Sequence, residues 1–169
     1  PEVQTTEALT NIYSIDQQQF NLTTQKALAK SLKKNLNNQA DFSLLPSNIG
    51  LESANVNELV MSYNELILKR KNLLNGASAL NPLVIQISGQ LSDLKTNIFR
   101  SIDNYLSNIE TTLGSYKEFE KYRDRMIDEL KPEGILEEET VFKIIDTGFR
   151  LRRIGEVEAG VYNQEILHH

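Results

Sequence analysis

The run VNELVMSYNELILKRKNLL, residues 56–74, leads through NGASALN, residues 75–81, into PLVIQISGQLSDLKTNIFRSIDNYLSNIETTL, residues 82–113. In the first run apolar residues fall at Val56, Leu59/Val60, Tyr63, Leu66/Ile67 and Leu73/Leu74. Steps of three and four place them on one face of an α-helix, as in a heptad seam, with Arg70 standing where another apolar knob belongs. Ser53 or Asn55 can cap the start, because a short polar side chain accepts a bond from an unpaired N–H of the first turn. Asn75-Gly76 supplies the stop, Gly being tolerant of a left-handed closing residue. Asn81 followed by Pro82 reads as a second helix start. Val84, Ile87, Leu91, Leu94, Ile98, Ile102, Tyr105 and Ile109 carry its stripe to about Leu113. A connection as short as Asn75–Asn81 makes the two helices antiparallel neighbours, an αα-hairpin.

The same periodicity extends in both directions. Residues from about Thr6 to Leu36 predict a helix capped by Thr5 or Thr6, with Leu9, Ile12, Phe20, Leu28, Leu32 and Leu36 on its apolar face. Two polar stretches, Asp16–Gln19 and Thr23–Lys26, interrupt that face. Asn37–Glu52 reads as a loop broken by Pro46 and Gly50, with Leu44, Leu45 and Ile49 tucking it against the helices. Beyond Leu113, Tyr116–Leu130 predicts a short helix with Phe119, Tyr122, Met126 and Leu130 on one face. Lys131-Pro132-Glu133-Gly134 ends it. A final helix from Leu136 to Leu167 uses Val141, Ile144/Ile145, Phe149, Leu151, Ile154, Val157 and Val161. Gly148, Gly155 and Gly160 are expected to bend or break it, each costing about 1 kcal/mol relative to Ala. The fold class is all-α, with long antiparallel helices in a coiled-coil-like hairpin or bundle.

Composition divides the chain at Leu113-Gly114-Ser115. Of the 169 residues, 1–113 hold 15 Asn and 8 Gln with net charge −1, whereas 114–169 hold one of each and net −4. That step reads either as a glycine-containing turn in one native chain or as the junction of two sequences of different origin, giving a helical hairpin region over 1–113 and a C-terminal helical segment, a possible fusion, over 114–169. The chain has no Cys, so disulfides, zinc–thiolate sites and thiol nucleophiles are excluded. Its two histidines are His168 and His169, which read as the remnant of a purification tag. The opening at Pro1 reads as the start of a piece excised from a larger protein, whose targeting signals lie elsewhere.

Chemistry-bearing constellations are few. No catalytic, cofactor-binding or metal-binding residues are assigned, and no cofactor is expected. Glu137–Glu139 suit a helix start, where the dipole favours acids, and Asp128/Glu129 a solvated face, better than metal or acid/base work. Arg150, Arg152 and Arg153, with Lys143, form a basic patch that could contact an acidic partner, although Asp146 and Glu156 stand four residues from Arg150 and Arg152 and can pair with them. Mild acidity leaves nucleic acid unexpected as a main partner. The sequon Asn21-Leu22-Thr23 lies mid-helix.

Four stretches resemble one family. They are Leu44-Leu45-Pro46-Ser47-Asn48-Ile49-Gly50-Leu51, Asn57-Glu58-Leu59-Val60, Tyr63-Asn64-Glu65-Leu66-Ile67-Leu68-Lys69-Arg70 and Asn81-Pro82-Leu83-Val84. Together they are similar to the periplasmic helical region of bacterial polysaccharide co-polymerases, the chain-length determinants, particularly the tyrosine-autokinase type of Bacteroides-like bacteria. The resemblance covers residues 1–113. It implies a long hairpin in the periplasm, homo-oligomers in the inner membrane, and a part in setting capsular or exopolysaccharide length and export alongside the polymerisation machinery. The kinase of such proteins is a separate cytoplasmic domain, and its phosphate-binding loops are not in this chain. Residues 114–169 depart from the family and look instead like a small helical region of uncharacterised bacterial proteins. The other reading is a helical binding adaptor that uses Arg150, Arg152 and Arg153 to contact an acidic partner or nucleic acid.

Overall fold

A computed structural model describes the backbone of residues 2–38 and 42–166, and the side chains of residues 15–38 and 42–151. Among the described residues there are four helices and no strand: α1 (Glu2–Asn38), α2 (Ala54–Leu74), α3 (Pro82–Leu130) and α4 (Ile135–Ile166). The all-α expectation holds. The chain forms two compact units, Phe20–Thr112 and the described parts of Pro1–Gln19 with Leu113–His169.

The first unit is a three-helix arrangement built from the end of α1, all of α2 and the first part of α3. Val56, Val60, Tyr63 and Ile67 are the buried stripe of α2, and Val84, Ile87, Leu91, Ile98, Ile102, Leu106 and Ile109 that of α3. Ala29, Leu32 and Leu36 of α1 join most of these in one core. The α2–α3 hairpin is antiparallel as expected: Arg70 donates to Ser88 across it at 2.9 Å, and Asn55 to Ser101 at 3.2 Å. α1 also runs antiparallel to α3, since Lys33 pairs with Asp103 and Lys26 with Glu110 at 2.9 Å, seven residues on along each helix. Both pairs are partly exposed, so solvent screens them and they fix orientation more than they stabilise. Glu110, hydrogen-bonded to Lys26, is held below the usual carboxylate range by that bond and by the lysine's charge.

Two antiparallel relations to α3 make α1 and α2 parallel, and this dictates the form of the segment between them. Residues 42–53 must carry the chain back along the helices, roughly 25 Å for the turns from Arg70 to Ser53. Only extended backbone covers that distance in so few residues. The segment is therefore a strap, not a free loop. Its descent is marked by Phe42 against Arg70, Leu45 against Asn64 and Leu51 against Asn57. Leu45 and Leu51 are buried and Ile49 is half-buried, whereas Leu44 is exposed. Arg70, which breaks the apolar stripe of α2, places its guanidinium 3.9 Å from the centre of the Phe42 ring.

Helix ends follow local chemistry closely in this unit. Ser53 caps α2, and its side chain accepts from the Val56 N–H. Asn81 caps α3 by accepting from the Leu83 N–H at 2.9 Å, with Pro82 in the first turn. Gly76 accomplishes its turn without a left-handed residue: among the described glycines, positive φ occurs at Gly50 and Gly134. Phe20, assigned to the apolar face of α1, is 77% exposed. The side chains of Leu9 and Ile12 lie outside the described residues, and α1 starts at Glu2, so Thr5 and Thr6 are inside the helix and do not cap it.

The second unit corrects the expectation of a turn near Gly114. α3 passes through Leu113-Gly114-Ser115 without interruption. One glycine in a helix interior costs only about 1 kcal/mol, which the flanking turns outweigh. From residue 113 on, α3 lies antiparallel to α4, to which it is joined by Lys131–Gly134. Phe119 meets Phe149 edge-on at 5.0 Å, Tyr122 lies 5.9 Å from the same ring, and Val141 and Ile145 are buried. Gln19 of α1 donates to Glu120 at 3.0 Å. Leu130, Ile144 and Leu151, assigned to apolar faces, are exposed. Ile154, Val157 and Val161 lie outside the described side chains.

α4 remains one helix past Gly148, where the missing side chain leaves room for a close approach. A Cβ on Gly148 would sit 2.5 Å from the Tyr122 hydroxyl. Gly148→Ala is therefore destabilising despite the better helix propensity of Ala. In a Tyr122→Phe background the same substitution gains up to about 1 kcal/mol. Urea unfolding of the two single variants and the double variant checks this sign change. Lys131 closes α3 in the left-handed region at φ 42°, its N–H bonded to the Ile127 carbonyl at 2.9 Å. Lys131→Gly relieves a conformation costly for a side chain, and the denaturation midpoint is expected to rise by the equivalent of about 0.5–1 kcal/mol.

Candidate functional site

The most organised polar cluster lies under the strap. An extended segment laid on helices finds no ladder partner, because the helices' own N–H and C=O groups are already paired, so side chains must satisfy it. Gln25, only 4% exposed, does this at one end. Its Nε2 donates to the Gly50 carbonyl at 3.0 Å, and its Oε1 accepts the Glu52 N–H at 2.8 Å and the Tyr105 hydroxyl at 3.1 Å. Two donors on the oxygen and a carbonyl facing the nitrogen define which way round the amide lies. Asn64 holds the other end, accepting the Leu45 N–H at 2.8 Å and donating to the Leu45 carbonyl at 2.9 Å, the pattern a paired strand residue would make. Asn57 donates to the Leu51 carbonyl at 2.8 Å. Phe42, Asn48 and Gly50 take positive φ within the strap. For Gly50 the backbone angle matters and not the space, since an added Cβ would come no nearer than 3.9 Å to the Leu28 side chain.

This cluster is neutral apart from Glu52, and its chemistry is that of a clamp. Burial, together with the Glu52 carboxylate, pushes the Tyr105 phenol above its ordinary range. A group whose folded pKa is raised stabilises the fold below its unfolded pKa, near 10 for tyrosine, and that stability is lost as pH rises through the folded value. The ultraviolet difference titration between the parent chain and Tyr105→Phe is accordingly expected to show a phenol ionising above the ordinary tyrosine range in the parent that the variant lacks, with unfolding following its ionisation.

The basic patch is only partly described. Arg150 is exposed and engages Asp146 through two contacts, Nε at 3.1 Å and Nη2 at 3.0 Å, so the expected internal pair is present and most of its local charge is balanced. Arg152 and Arg153 lie in α4, but their side chains are outside the described residues, as are those of Glu156 and both histidines. Lys143 is exposed. Among the described residues no group of three His, Cys, Asp or Glu side chains could hold a metal ion, and no helix is long and apolar enough to cross a membrane. Asn21 of the sequon is exposed and donates to Glu52 at 3.1 Å.

The strap clamp is the feature that sequence reading missed. Gln25 and Asn64 were visible only as polar residues in or beside apolar stripes, and the one available signal was a buried-face position occupied by an amide. Comparison with protein families, curated proteins and solved structures returns no match.

Proposed function

We propose that the chain is a non-catalytic helical assembly module, specifically the periplasmic scaffold region of a bacterial polysaccharide co-polymerase that forms homo-oligomers in the inner membrane. The carrying observation is that the residues bearing the resemblance form one structural device. Leu45 is held by Asn64, Gly50 takes the left-handed turn under Gln25, and Asn81 with Pro82 opens α3. A strap clamped to a hairpin explains why these residue types stand together, and it supports a shared scaffold. The hairpin end fits contact between copies: no charged residue occurs from Asn72 to Ser92, and Leu80 and Leu83 are 82% and 55% exposed.

Leu80→Gln combined with Leu83→Gln in the full-length gene tests the reading without disturbing the core. The expected result is an altered length distribution or yield of the exported polysaccharide. An unchanged polymer profile, with the variant protein present at its normal level, overturns it.

A further inference from the structure

The corner between α3 and α4 carries an open groove of about 500 Å³ lined by apolar Ile127, Pro132, Val141 and Phe142, by acidic Glu133 and Glu138, and by a single cation, Lys131. Next to these lining residues in the chain, Leu130, Ile135 and Leu136 are 47%, 65% and 76% exposed. Large apolar side chains left in water beside an apolar groove call for a partner in a way that scattered single ones do not. Charge selects the kind of partner. Residues 126–142 contain six acids against Lys131 alone, a net −5 that equals the charge of the entire chain. Neither Glu133 nor Glu138 has an ion pair among the described residues, and the Glu137 carboxylate is occupied by the Glu133 N–H at 2.6 Å. The dipole of α4 accounts for Glu137 and Glu138 in its first turn, but not for Glu133 ahead of the helix or for the exposed leucines and isoleucine. Anionic surfaces and nucleic acid are repelled by this corner, and two copies placed corner to corner would repel each other.

We propose that the α3–α4 corner docks a basic amphipathic segment of a partner protein, its apolar side chains in the groove and its Lys or Arg side chains against Glu133 and Glu138. This is independent of the polysaccharide reading and survives its failure.

The test is fluorescence anisotropy of a labelled Leu/Lys amphipathic helical peptide titrated with the whole chain. Saturable binding is expected, weakened roughly tenfold by Glu133→Gln with Glu138→Gln, and losing much of its salt dependence in that variant. Leu136→Gln, an exposed change that leaves the helical circular dichroism intact, is expected to weaken binding several-fold. A Leu/Glu peptide and a Ser/Lys peptide of equal charge are expected not to bind. No binding of the Leu/Lys peptide at low salt overturns the proposal, as does unchanged affinity in the double glutamine variant. Equal binding by the Ser/Lys peptide reduces the corner to unspecific charge and overturns it too. Sedimentation showing a dimer that Leu136→Gln dissociates identifies a second copy as occupant and likewise overturns it.

Discussion

Gln25→Leu is expected to lower the unfolding free energy by about 3 kcal/mol, more than its exchange of one polar side chain for an apolar one of similar size suggests. The new side chain suits a 4% exposed position, yet it strands the Gly50 carbonyl, the Glu52 N–H and the Tyr105 hydroxyl at once. A polar group left unmatched costs roughly 1–3 kcal/mol when water cannot reach it, and because Gly50 and Glu52 are themselves exposed, access to water reduces the sum without removing it. The loss should have a local signature as well. Amide exchange at Glu52 is expected to accelerate far more than exchange at Ile98 or Ile102, both fully buried in α3. Asn64→Ala, which releases only Leu45, is expected to cost about half as much. A urea midpoint for Gln25→Leu indistinguishable from that of the parent chain would show that the strap is not held through this amide.

The second large effect separates two positions that look alike in the sequence of α1. Leu32→Ala removes a side chain that is 2% exposed and packed into the core of the Phe20–Thr112 unit, and is expected to cost about 3 kcal/mol through lost transfer energy and an unfilled cavity. Phe20→Ala removes a larger side chain that is 77% exposed, and is expected to change stability by no more than about 0.5 kcal/mol. Thermal unfolding of the two variants side by side distinguishes them. Comparable losses would place Phe20 against a surface that its exposure does not reveal.

These cases show what was legible in the residues. Ser53 and Asn81 accept from N–H groups within three residues of themselves, and Pro82 needs no N–H of its own in a first turn, so these roles could be read in place. The stripes of α2 and α3 were legible for the same reason, since burial repeats with the helix period. The continuity of α3 through Gly114-Ser115 was not, because a Gly-Ser pair is only a weak local preference and flanking helical turns override it. The clamp was hidden by distance. Gln25 finds its partners 25, 27 and 80 residues away, and only its register with Leu28, Leu32 and Leu36 hinted that it differs from the solvent-facing Gln17. Arg70 looked like a flaw in a heptad until Phe42 was placed beneath it. At the α3–α4 corner the acidic residues could be counted in advance, but the groove between them required the turn at Lys131–Gly134 to be in place.

The division of the chain into a continuous and a discontinuous unit has a consequence for synthesis. The clamp lies wholly within residues 20–112, so this unit can close once α3 has emerged as far as Thr112. The other unit draws on the first 19 residues and on everything after Thr112, and its contacts from Gln18 to Tyr116 and from Gln19 to Glu120 span 98 and 101 residues. On a ribosome delivering about 5–20 residues per second, the beginning of α1 waits several seconds for its partners. The beginning of α1 is thus made before the rest of its unit and packed after it, and that interval is when this stretch is most open to chaperones, proteases and neighbouring chains.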